Sequence, residues 1–231
     1  MPDSKSGEQR AEIELRYNHN HDEKGRFCSG RGGGRFSSGK SVDKSEKGDI
    51  IKENGKKSIT PITDSSLNNI PNVSIDGYTS EQCTEIQKQH KELLDYSRKN
   101  NDNKEIAFVF DSELKNRKEF KGEDDILDFG SALYGKDLLV MHNHPRNSSY
   151  STTDLVFFNS HSNIKTLTIV KNNGNVEYIT KGHSFDGQKF ALEYNRFYTK
   201  MVKTGSDAEK NKFVKALLSK TKSGVIWSEK G

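Results

Sequence analysis

Two histidines one residue apart, His142 and His144, open the stretch MHNHPRNSSYSTTD, which closes on Asp154. Imidazole and carboxylate are common ligands of divalent cations, and three protein ligands with a fourth position left open is the catalytic zinc arrangement. Asp154 is the candidate third ligand, in the first turn of an expected helix, where a negative charge is favoured. Pro145 biases His144 toward an extended backbone and stops a strand ladder. The preceding strand, DLLVMH (137–142), is therefore expected to end at the pair and let the two rings converge. A cation of this kind makes water acidic enough to attack a carbonyl near neutral pH, but hydrolysis still needs a base. Glu105 is the candidate base, because it opens the apolar run EIAFVFD, which must neighbour strand 137–142 in any compact arrangement. Ser151, three residues before Asp154, is the candidate donor to an oxyanion. Taken singly, each of these has a plainer reading: a first-turn carboxylate, a helix cap, a solvated strand end. The combination favours a Zn2+ site with His142, His144 and Asp154 as ligands and Glu105 and Ser151 as catalytic groups.

The elements that must position these residues begin with a capping box at Thr79-Ser80-Glu81-Gln82. Cys83, Ile86, His90, Leu93 and Leu94 then recur at helical spacing, predicting a helix over about 80–98 that ends at NNDN. His90 on that stripe reads as a core histidine rather than a ligand. EIAFVFD (105–111) and KEFKG (118–122) read as paired strands, and DDILDFGSALYG (124–135) as a helix burying Ile126, Leu127, Phe129 and Leu133. The unbroken apolar run of 137–142 marks a strand buried on both faces. TTDLVFFNSH (152–161) reads as a short helix opened by polar capping residues. TLTIV and NVEYIT form a hairpin around Asn172-Asn173-Gly174, since Asn and Gly accept positive φ. Helices over about 187–204 and 207–221 complete the chain, with Gly205 as a C-terminal cap.

Only 30% of the 231 residues are hydrophobic, and the large apolar side chains concentrate after residue 80. Residues 1–77 are expected to be a flexible basic, Gly/Ser-rich leader that stays polar up to Gly77, because such composition cannot offset its ordering entropy. Residues 78–183 then form a mixed α/β domain, and 184–231 a helical extension packed on it. His19, His21 and Cys28 lie in the leader without an apolar framework, so they read as peptide rather than metal site. Cys28 and Cys83, the two cysteines, do not make a disulfide framework, and a reducing, intracellular setting is expected. The sequence has no run of roughly 20 apolar residues to span a membrane and no signal-type apolar core at its start. With 37 basic and 33 acidic residues well mixed, the net charge of +4 is weak evidence for a nucleic-acid partner, and none is expected.

Glu105 with IAFVF, then DLLVMHNHP, then Ser151-Thr152-Thr153-Asp154, resembles the JAMM (MPN-plus, JAB) zinc metallopeptidases over about residues 100–180. The resemblance implies a JAMM/MPN-like, cytidine-deaminase-like mixed sheet flanked by helices, and cleavage of peptide or isopeptide bonds. It also implies the same ligand set, with Glu105 as acid/base and Ser151 as oxyanion donor. Six residues separate His144 from Ser151, one fewer than is usual in the family, so Ser148, Ser149 and Thr152 compete for the serine role. NHDEKGRFCSGRGGG is similar to segments of phage head and portal proteins. That likeness implies a phage or prophage origin, a cytoplasmic location in a bacterial host or association with the virion, and phage structural proteins as partners beside a protein or peptide substrate. Two other readings stand beside this one: a non-catalytic head-morphogenesis protein retaining the fold, and an HNH-type nuclease, whose three residues are spread over a ββα unit rather than a tripeptide.

Overall fold

A computed structural model describes residues 58–122, 127, 129 and 133–231. The expected helix over 124–135 lies largely outside the described residues, as do His19, His21 and Cys28 of the leader. Phe129, which is described, stacks on Phe157 with ring centroids 5.0 Å apart.

The chain runs α1 (Asp64–Asn68), α2 (Ser80–Asn100), β1 (Ile106–Phe110), β2 (Lys118–Lys121), β3 (Leu138–His144), α3 (Thr152–Ser160), β4 (Ile164–Lys171), β5 (Val176–Lys181), α4 (Gly187–Met201), α5 (Asp207–Lys220) and β6 (Val225–Lys230). α2 starts where its capping box predicts: the Gln82 amide donates to Thr79 Oγ1 at 3.2 Å and the Thr79 amide to Gln82 Oε1 at 2.9 Å. The strands form one mixed sheet in the order β2-β1-β3-β4-β5-β6, in which β3 and β4 are parallel and the other neighbours antiparallel. The expected hairpin is β4–β5, with Gly174 at φ +96° in its turn.

Alternation along the strands divides the core between two faces. Val109, Leu138, Val140, Leu167, Ile169 and Ile179 join Leu155, Phe158, Phe190 and Phe213 of α3, α4 and α5. Ile106, Phe108, Phe110, Leu139, Met141 and Val170 join Ile86, Leu93 and Leu94 of α2 on the other face. Each fully buried side chain of this size contributes roughly 1.5–3 kcal/mol. His90 is fully buried on the α2 side and bonds Thr168 Oγ1 at 2.8 Å, so it is a core histidine.

Four expectations need correction. β3 continues through His144 instead of ending at residue 142, so the histidines share a face through the two-residue period of an unbroken strand. Residues before 78 also join the core: Ile62, Ile70, Val73 and Ile75 are buried against α2 and the sheet. The C-terminal part is not wholly helical, since Val225–Lys230 pairs antiparallel with β5 and adds the sixth strand. Finally, α4 is capped by Val202, while Gly205 takes φ +75° in the turn that follows. Among the described residues, no helix is long and apolar enough to cross a membrane.

Candidate metal centre

Period two, running along β3 from Leu138 and Val140, carries His142 and His144 onto the α3 side of the sheet. β1 lies antiparallel beside β3 with Ala107 opposite His142. Glu105 precedes Ala107 by one period and so reaches the same side. α3 begins just past the end of β3 and brings Asp154 there in its first turn.

The four side chains converge. His142 Nε2 and His144 Nε2 face each other at 2.9 Å. Asp154 Oδ1 is 3.3 Å from His142 Nε2, and Asp154 Oδ2 is 3.6 Å from His144 Nε2. Glu105 Oε1 is 3.8 Å from His142 Nε2. Buried Glu105, His142 and His144 lie close enough together to bind a metal ion. The donor set suits one: nitrogens about 2.0–2.1 Å from a tetrahedral zinc stand about 3.3 Å apart, near the separations found here.

His144 and Asp154 are held by neighbours outside the cluster. His144 Nδ1 lies 3.1 Å from the Ser148 carbonyl and 2.9 Å from its hydroxyl. A hydrogen on Nδ1, donated to that carbonyl, leaves the Nε2 lone pair directed at the centre, the usual outer-shell arrangement for a ligating histidine. Burial pushes the His144 ring down to about 4, against the opposing pull of Asp154 and with help from His142, so the ring is neutral at pH 7. Burial alone would raise the Asp154 carboxyl, but the His142 and His144 rings and the Ser151 amide outweigh it and hold Asp154 well below the usual carboxylate range.

Ser151 is the N-cap of α3. Its amide and its hydroxyl both donate to Asp154 Oδ2, at 2.6 and 2.7 Å, and its oxygen accepts the Asp154 amide at 3.1 Å. Asp154 Oδ1 is thereby turned to His142, while Oδ2 stays 3.6 Å from His144 Nε2. The other serines of the loop are engaged elsewhere: Ser148 with His144, and Ser149 with Glu177 at 2.7 Å. Fully buried Tyr150, between Ser149 and Ser151, fixes the loop by donating to the Leu167 carbonyl at 2.7 Å. The loop therefore brings Asp154 to both histidines despite its length.

Sequence reasoning missed the ionic group behind this loop. Lys171, paired in register with His144, reaches Glu177 at 2.6 Å and Glu229 of β6 at 2.8 Å. Burial lowers the Lys171 ammonium, but the two carboxylates outweigh it and hold it above its ordinary value. The signal was present in sequence as charged residues inside or ending apolar strand runs, where an unpaired charge is rarely tolerated. Comparison with protein-family models, characterised proteins and solved structures gives no match to this chain.

Proposed function

We propose that this chain is a zinc-dependent hydrolase of peptide or isopeptide bonds, with a JAMM-like fold and site, encoded by a phage or prophage and acting in the bacterial cytoplasm or on the virion. The observation that carries the reading is the facing of His142 Nε2 and His144 Nε2 at 2.9 Å with Asp154 Oδ1 at 3.3 Å. His142, His144 and Asp154 would hold the ion, and zinc there supplies the Lewis acidity that polarises a carbonyl and acidifies water. Glu105, buried 3.8 Å from His142 Nε2, would take a proton from an attacking water and return it to the leaving amine. Ser151 orients Asp154 through its hydroxyl, and it serves a developing oxyanion when that proton turns from the carboxylate to the substrate oxygen.

Metal analysis of the purified wild type and of His142→Ala tests the site. Stoichiometric zinc in the first and its loss in the second are expected; absence of zinc from the wild type would sink the mechanism. Glu105→Gln should retain zinc and fold while losing hydrolysis. One observation favours a second reading, a non-catalytic head-morphogenesis protein that holds metal: the Ser151 hydroxyl hydrogen is already engaged by Asp154. Zinc bound to wild type, with no peptide hydrolysis above the protein-free background, would support that reading.

A further inference from the structure

We propose that Asn143, the residue between the two histidines, positions Glu105; the role rests on the metal-centre reading above. The β1–β3 ladder runs from Phe110 opposite Leu139 to Ala107 opposite His142. The next step would set Ile106 opposite Asn143, and there the Asn143 side chain takes the place of the backbone. Its Oδ1 accepts the Ile106 amide at 2.7 Å, and its Nδ2 donates to the Lys104 carbonyl at 3.2 Å. Those peptide groups flank Glu105 on either side, so one carboxamide grips the backbone before and after it.

The grip has its own support. Asn143 Nδ2 also donates to Asn172 Oδ1 at 2.8 Å, and Asn172 Nδ2 donates to the Asn103 carbonyl at 3.0 Å and the Thr60 carbonyl at 2.8 Å. Asn143 and Asn172 are both fully buried. Holding an amide hydrogen and a carbonyl at once requires a side chain that accepts and donates together, which a carboxamide does and a carboxylate or an alkyl group does not. The carboxamide is also neutral, so it adds no second negative charge beside Glu105. Because Asn143 is one residue from each histidine, three successive residues of β3 present the rings on one face and the clamp on the other.

Asn143→Leu keeps the γ-branched shape and removes all three bonds; Asn143→Ser, too short to span both peptide groups, serves if the bulkier leucine variant does not fold. In crystals of the metal-free variants, the Glu105–His142 separation should widen beyond 3.8 Å, with the His142–His144 pair kept near 2.9 Å. Loaded with Co2+, the wild type should show a pH-dependent visible spectrum. Its midpoint should move by about one pH unit in Asn143→Ser and in Glu105→Gln, and no further when the two are combined. A Glu105 that stays in place in both variants, or additive midpoint shifts, overturns the proposal. A wild type that binds no Co2+ overturns the metal-centre reading instead, and the metal-free structures alone then decide whether Asn143 places Glu105.

Discussion

Ser151→Ala separates what the serine does for α3 from what it does for Asp154. The substitution removes the oxygen that accepts the Asp154 amide and the hydroxyl that donates to Asp154 Oδ2, but leaves the Ser151 amide donating at 2.6 Å. Loss of the cap costs about 1 kcal/mol. A hydrogen bond to a charged group contributes roughly 1.5–3 kcal/mol, and the lower end applies because the Asp154 side chain is 16% exposed. The total of about 2–3 kcal/mol corresponds to a fall in Tm of roughly 5–10 °C for a chain of this size. With Oδ2 held by the Ser151 amide alone, Asp154 holds Oδ1 toward His142 less firmly, and zinc affinity should fall by about 10–100-fold, the usual result of losing an outer-shell partner. Calorimetry of the metal-free protein reads the first quantity, and competition with a chromophoric chelator reads the second. In an Asp154→Ala background, Ser151→Ala should cost no further zinc affinity. An unchanged metal-free Tm, or an affinity loss of full size in that background, would refute the reasoning.

Three other outcomes are expected. Burial lowers His90 from 6.5 to about 3, so between those values the unfolded chain binds the extra proton and stability rises with pH; it is complete above the upper value and lost on acidification toward the lower. Wild type should therefore lose about 3 kcal/mol relative to His90→Leu between pH 7 and pH 4.5, and parallel stability–pH curves for the two proteins would contradict this. Lys171→Met leaves Glu177 buried without its cation and should cost about 3–5 kcal/mol in urea unfolding, with much of it regained in Lys171→Met/Glu177→Leu; no recovery in the double variant would count against the ion pair as the cause. Gly174→Ala puts a side chain at φ +96° against the Ser66 backbone and should lower the unfolding free energy by about 1–3 kcal/mol, whereas an unchanged midpoint would mean that the turn adapts.

The parts of the fold set by local chemistry were legible in the sequence. Thr79 and Gln82 mark the start of α2, Asn172-Asn173-Gly174 the β4–β5 turn, and the apolar runs at 106–110 and 138–141 the paired strands at the site. The facing of Glu105, His142 and His144 follows from the pairing of those strands and their period. Features that depend on distant partners were not legible. Ile62, Ile70, Val73 and Ile75 are isolated among polar residues, and only the face they cover makes them core. VIWSEK is half polar, and its identity as a strand comes from the open edge of β5. Asn143 reads as a spacer in His-Asn-His until its bonds across to β1 are known.

The parallel pairing of β3 with β4 also bears on the order in which the molecule assembles. Parallel neighbours need a crossover, and here the crossover contains α3. His142 and His144 are near each other in any extended β3, but Asp154 reaches them only when the crossover has closed, and Glu105 only when β1 has docked. At this site the unfolded chain offers a cation little more than two imidazoles one residue apart. Zinc affinity should therefore develop late in refolding, and the ion should act chiefly by slowing unfolding rather than by speeding collapse.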